Sequence, residues 1–143
     1  LEPGCWITLA PDATIAVGDG CFLNRGVMLA AHDRIEIGDH VMFANNCFVG
    51  DASHKFDDPD LPITWQGFES KGPVSIGSNC WFGVNCVVTS GVRIGDRCVI
   101  GANSVVTSDL PDGVIAAGSP AKVIREIEFR GAEGQGSGSQ SQE

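Results

Sequence analysis

The sequence predicts an all-β fold, a parallel β-helix wound from six-residue repeats, and three observations lead to it. First, residues 76–106 divide into the blocks IGSNCW, FGVNCV, VTSGVR, IGDRCV and IGANSV, with Val106 opening another. Each block opens on a bulky apolar residue and carries a small one (Cys, Cys, Val, Cys, Ser) in fifth place. Neither a 3.6-residue helix nor a simple alternating strand has a period of six; a short strand plus a corner does, three times per triangular coil. Second, the same phase extends upstream. Third, a longer repeat lies over it, IAVGD at 15–19, IEIGD at 35–39, VSIGS at 74–78 and VRIGD at 92–96, marking one corner of successive coils.

The residue types follow from the geometry. A narrow triangular interior has no room for two large side chains per face, so a large first residue is paired with a small fifth one. Gly, Asn and Asp collect at corners, which need positive φ or side-chain bonds to the backbone.

Taken in order, residues 1–14 are poorly periodic and punctuated by Pro3, Gly4 and Pro11, so they are expected to form an incomplete first coil or a cap. Coil one runs from Val17 with starts at Leu23 and Leu29, then two extra residues. Coil two starts at Ile37, Phe43 and Val49, coil three at Ile76, Phe82 and Val88, and coil four at Ile94, Ile100 and Val106. Every one of these starts is apolar, in a chain that is 43% hydrophobic. About four to five coils are therefore expected within a single domain, residues 1–130. Between coils two and three a loop, residues 55–73, is extruded; with Phe56, Trp65 and Phe68 it is too aromatic for a disordered linker and is expected to pack over a neighbouring subunit and a ligand. Residues 109–125 read as a last turn and a capping segment over the open end, and 131–143, rich in Gly, Ser, Gln and Glu, as a disordered tail.

A net charge of −9 speaks against nucleic acid or an anionic membrane as partner. No apolar run approaches the length of a membrane span and no charged-then-apolar leader opens the chain, so a soluble cytoplasmic protein is expected. Five of the six cysteines, Cys21, Cys47, Cys80, Cys86 and Cys98, fall on the small fifth position, where they read as packed, reduced thiols. Cys80 and Cys98 stack on one face within reach of a bridge, as do Cys47 and Cys86, and neither pair requires one. Inward thiols in apolar surroundings resist ionisation and make poor nucleophiles.

Three histidines are candidates for chemistry. His32 at the two-residue bulge and His40 at a corner read as surface residues. His54 ends a regular hexapeptide and begins the loop, so a rigid scaffold fixes its backbone while the ring can reach a pocket. The spacings between these histidines, eight and fourteen, do not match the zinc set of a carbonic anhydrase on this scaffold, and no metal is expected. Asp57, Asp58 and Asp60 read as a solvated loop. Trp81, pointing outward, reads as the wall of a cofactor groove or as an interface residue.

The phases, the His before the loop, the Trp81 block, the run IGANSVVT at 100–107 and the ending AAGSPAKVIR at 116–125 together resemble the hexapeptide-repeat O-acetyltransferases, a group that includes galactoside, maltose and xenobiotic acetyltransferases. The resemblance covers residues 17–127. It implies left-handed coiling, a homotrimer with sites between adjacent prisms, and acetyl-CoA as acyl donor to a hydroxyl of a small, sugar-like acceptor. By position it places the catalytic base on His54, the acceptor-binding asparagine on Asn24, and the acetyl-CoA contacts on Trp81, Val84, Ala102, Thr107, Ser108, Lys122 and Arg125. Two departures stand out: Val84 replaces a Ser found in relatives, so a role there falls to its backbone N–H, and Lys122 replaces an Arg, keeping the charge without the bidentate fork. His54 and Asn24 fall on different faces of one chain and are expected to meet across a subunit boundary. An N-acyltransferase acting on an amino sugar, and a non-catalytic scaffold, are the competing readings.

Overall fold

Because an apolar residue recurs every six positions and the chain bends after each, the backbone winds into three flat faces of stacked parallel strands. The computed structural model describes residues 1–131; the tail expected at 131–143 lies, apart from Gly131, outside the described residues. The first face stacks β1 (Trp6–Leu9), β4 (Met28–Ala31), β7 (Phe48–Gly50), β12 (Val87–Val88) and β15 (Val105–Val106). On the second face lie β2 (Thr14–Val17), β5 (Arg34–Ile37), β10 (Val74–Ile76) and β13 (Arg93–Ile94), extended by a bridge from Ile94 to Leu110. The third face carries β3 (Phe22–Leu23), β6 (Met42–Phe43), β11 (Trp81–Phe82), β14 (Val99–Ile100), β16 (Val114–Gly118) and β17 (Ala121–Glu126). All pairs within these faces are parallel except β16 with β17. The expected parallel β-helix is present.

The hexapeptide starts form the core in register. Leu23, Phe43, Phe82, Ile100 and Ala116 stack behind the third face, with the Phe43 and Phe82 rings 4.7 Å apart and nearly parallel. Leu29, Val49, Val88 and Val106 do the same behind the first. Burying each such side chain contributes about 1.5–3 kcal/mol. The fifth-position residues fit beside them and act as weak donors. The thiol of Cys47 donates to the Gly83 carbonyl (3.1 Å), Cys86 to Gly101 (3.1 Å), Cys80 to Gly95 (3.2 Å) and Cys98 to Pro111 (3.1 Å), each reaching the next coil. All six cysteines are free.

The two kinds of corner residue divide their work. The Gly after the large residue is required by close approach: a Cβ at Gly77 would lie 2.7 Å from the Gly95 carbonyl carbon of the next coil. Positive φ falls two residues later, at His40, Asn79 and Arg97, so a side chain is tolerated there at a modest conformational penalty.

At both ends and at the loop the fold is more specific than the repeat. Of the two readings of residues 1–14 the incomplete first coil holds, since β1 pairs with β4 and completes the first face. Its period is hidden because an end coil has no neighbour above it, leaving Trp6, Ile7 and Leu9 exposed. The loop carries structure of its own: β8 (Ser53–His54) pairs antiparallel with β9 (Phe68–Glu69) at its base, and a 3-10 turn spans Ile63–Trp65. The C-terminal segment caps the helix as expected: β17 turns back along β16 and covers the edge of the third face.

Candidate active site

The loop base is where the regular winding gives way, and its residues show why. Gly50 ends β7 without a side chain, and a Cβ there would lie 2.7 Å from the Phe48 ring, which is thus free to lie along the backbone. Asp51 follows, fully buried at 0% exposure. Its Oδ1 accepts the His32 N–H (2.6 Å) and its Oδ2 those of Asp33 (2.7 Å) and Arg34 (2.8 Å). The hydroxyl of Ser70 donates to the Asp51 carbonyl. Three residues past Asp51, His54 sits in β8 directly opposite Phe68. Within the loop, the Gln66 amide closes the chain on itself, donating to the carbonyls of Asp58 (2.9 Å) and Leu61 (2.7 Å) and accepting the Asp58 N–H (3.0 Å).

Opposed residues of an antiparallel pair sit side by side. The His54 ring accordingly lies 4.6 Å from that of Phe68, and His32 packs on Phe68 at 4.0 Å. His54 is exposed, as the sequence predicts, rather than enclosed in the prism. Both imidazoles and Phe68 line a cleft of about 370 Å³ whose remaining wall is largely apolar, including Leu9, Ala30 and Phe48, with no carboxylate in its lining. A second cleft of about 350 Å³ shares Phe48 and Ser53 with the first and leads past Lys71 and Ser90 to Thr107. His32 therefore belongs to the cleft and is not a plain surface residue; its partner Phe68 is 36 positions away, beyond the reach of local pattern.

A second group gathers on the third face and at its corner with the first. Outward residues along one row are Phe22, Met42, Trp81, Val99 and Ile115, with Arg125 paired to Ile115. Lys122 and Arg125 are three apart, which on a regular strand would place them on opposite faces. The register between β16 and β17 shifts between Ile115 and Ala116, however, so that Lys122 pairs with Ala117 and Arg125 with Ile115, both outward positions. The bulge thus sets both cations on the face that carries Trp81.

At the adjoining corner, Asn24 occupies the first coil, and Val84 and Ala102 occupy stacked coils further along. The Asn24 Nδ2 donates to the Phe43 carbonyl (2.9 Å). Gly83 N–H donates to Ile100 and Asn85 N–H to Asn45, while the N–H of Val84 between them has no acceptor among the described residues. The same holds for Ala102, between Gly101 and Asn103.

The site residues expected from sequence thus fall into two sets within one chain. His54, Thr107 and Ser108 lie along the corner between the first and second faces, joined by the two clefts and by the unforeseen His32, Asp51 and Lys71. Asn24, Trp81, Val84, Ala102, Lys122 and Arg125 lie across the first face from them. Asn24 does not line the His54 cleft.

The core thiols stand apart from both sets. Cys47 is held far above the ordinary thiol range by its hydrogen bond with Cys86 and by burial, and Cys80 by Cys98 in the same way. Those bonds lower the acceptors Cys86 and Cys98, to about 7 and about 6, but at 1% and 0% exposure neither sulfur can meet an acyl group.

Residues 73–108 match the family model described as the hexapeptide repeat of succinyl-transferase. A probable acetyltransferase of Mycobacterium tuberculosis is 37% identical over 132 residues, covering 87% of this chain and 44% of the relative. A galactoside O-acetyltransferase of Escherichia coli is 36% identical over 130 residues, 91% of this chain and 62% of the relative. Among solved structures, a hexapeptide-repeat acetyltransferase of Vibrio cholerae in complex with acetyl-CoA superposes with a TM-score of 0.76 at 32% identity, covering 90% of this chain and 68% of that one. The chain spans about half the length of the curated relatives it matches.

Proposed function

The chain belongs to the hexapeptide-repeat acetyltransferase family, and on that premise we propose that it transfers an acetyl group from acetyl-CoA to a hydroxyl of a small, sugar-like acceptor, with His54 as general base. The observation that carries this reading is the His54 imidazole standing exposed in a cleft against Phe68, its backbone fixed by the β8–β9 pair at the lip of the prism. An imidazole is suited to take a hydroxyl proton near neutral pH. In the transfer, the acceptor oxygen attacks the thioester carbonyl as its proton passes to His54. The carbon–sulfur bond then breaks, and the departing thiolate takes up the proton that His54 carries. Transfer is read as direct, because Cys47, Cys80, Cys86 and Cys98 are buried and neither Cys5 nor Cys21 lines the His54 cleft.

The free N–H of Val84 is the donor assigned to the oxyanion, worth a few kcal/mol (about 3) in a water-poor site. Lys122 and Arg125, brought to one side by the bulge, are assigned to the phosphates of the donor, which an acidic protein would otherwise repel. Trp81 and Ala102 wall that groove, and Thr107 and Ser108, across the first face, are assigned to its far side on the adjoining subunit. Asn24 meets the acceptor through its Oδ1, its amide being engaged by Phe43. The separation of the two sets across a face supports a complete site formed between subunits of a homotrimer. The exposed apolar row of Phe22, Met42 and Trp81, together with Phe56 and Trp65 of the loop, supports that assembly. Six free thiols suit a reducing compartment, the cytoplasm.

A panel of acyl-CoA donors and sugar acceptors, read by release of free thiol, tests the activity. Transfer dependent on both substrates and lost in His54→Ala is expected; undiminished transfer in that variant would overturn the assignment. Mixing inactive His54→Ala and Asn24→Ala chains under conditions of subunit exchange tests the shared site: recovery of activity is expected, and none after verified exchange would count against it.

A further inference from the structure

The cleft at His54 is bounded by three separate pieces of chain, and one buried residue touches or adjoins each of them. From the carboxylate of Asp51, bonds run to the N–H groups of His32, Asp33 and Arg34 on the preceding coil, which places the backbone from which the His32 ring projects. Its carbonyl accepts the hydroxyl of Ser70, two residues beyond Phe68 on the returning arm of the loop. Its own chain continues within two residues into β8, which carries His54. The Phe68 ring then lies between the two imidazoles at 4.0 and 4.6 Å.

A carboxylate out of contact with water is costly unless hydrogen bonds replace its hydration, and here three backbone donors do so. The winding itself does not require this device. Two coils further on, Asp109 accepts the N–H of Arg93 at the same corner with a single bond of 2.8 Å and remains exposed. Closing the corner is therefore achieved by one exposed carboxylate oxygen elsewhere; the additional bonds and the burial occur only where the loop carrying His54 departs.

We infer that Asp51 is a positioning residue for the acceptor side of the site: it holds the coil bearing His32, the arm bearing Phe68 and the strand bearing His54 in one arrangement. This rests on the acetyl-transfer reading above. It acts through His54, His32 and Phe68 and touches no reacting atom. Asn is the informative replacement, since its amide nitrogen would present hydrogens to backbone N–H donors while the volume is kept.

The test compares the wild type with Asp51→Asn and Ser70→Ala in two measurements made well below their unfolding temperatures. In steady-state transfer, Asp51→Asn is expected to raise the acceptor KM about tenfold and lower kcat by a similar factor, as displacement of a catalytic group does, with the acetyl-CoA KM within about twofold. Ser70→Ala is expected to move the same parameters less. By NMR, the Hε1 resonances of His32 and His54 should be displaced by the Phe68 ring in the wild type and relax toward free-histidine positions in Asp51→Asn. Unmoved histidine resonances, or both KM values unchanged while kcat falls only with the folded fraction, would reduce Asp51 to a stabilising residue and overturn the inference. Should Asp51→Asn fail to fold, Ser70→Ala carries both measurements. A wild type inert toward every donor and acceptor would count against the acetyl-transfer reading alone, with the NMR measurement still deciding whether Asp51 positions the rings.

Discussion

Two corners of the prism are built on the same backbone plan and put to different use. Between the second and third faces, one carboxylate or hydroxyl per coil accepts one N–H from the coil before: Asp19 N–H to Asp39 (2.8 Å), Asp39 N–H to Ser78 (2.9 Å), Ser78 N–H to Asp96 (2.8 Å) and Asp96 N–H to Asp112 (2.8 Å). Between the first and second faces Asp109 does the same for Arg93, but one coil concentrates three such bonds on Asp51, and the chain beyond it leaves the prism to form the His54 cleft. A load divided over many exposed bonds makes a corner that tolerates change. One gathered into a single buried anion makes a corner that can carry a precisely aimed group and fails when that anion is lost.

The contrast can be broken first at the histidines. Replacing His54 by Ala should lower acetyl transfer by about 10²–10⁴-fold, the usual contribution of general-base catalysis, while His40→Ala, at the other corner, should leave the rate within about twofold; comparable losses in kinetic assays would erase the distinction. Next in size is stability. Asp51→Ala should cost about 3 kcal/mol in denaturant unfolding, since bonds to a charged acceptor are worth roughly 1.5–3 kcal/mol each and water can reach some of the freed donors. Asp96→Ala, with a single exposed bond to Ser78, should cost only about 1 kcal/mol in the same experiment. The smallest effect is expected at Trp65, 74% exposed on the loop. Its replacement by Ala should leave the unfolding midpoint of the isolated chain almost unchanged, within about 0.5 kcal/mol, and a larger shift would mean the loop is packed on its own prism.

What could be read in the sequence was whatever repeats. Phe43 and Phe82 announce their inward position because each is one of a series, and the stacking of Cys80 on Cys98 follows from a fixed spacing. Residues whose surroundings come from a single long-range contact carry no such mark. Trp6 to Leu9 form a strand whose exposed end position removes the apolar alternation. Asp51 resembles any other corner aspartate until Ser70 returns to cover it. His32 gains its neighbour only when the loop folds back with Phe68. At His54 the location was legible, because the break in the repeat is itself a pattern, whereas the hairpin that holds it was not.

The bulge in β17 has a consequence for how this end of the molecule can change. Because Ile124 is the extra residue that lets Lys122 and Arg125 share one side at a spacing of three, its loss would leave them two apart and still together on a regular strand, whereas straightening the strand with Ile124 in place would turn one cation away. With the bulge kept, length changes between them should obey an odd–even rule: a two-residue insertion preserves a paired positive pole, and a one-residue insertion splits it. Variation in this hairpin is constrained by counting before it is constrained by chemistry.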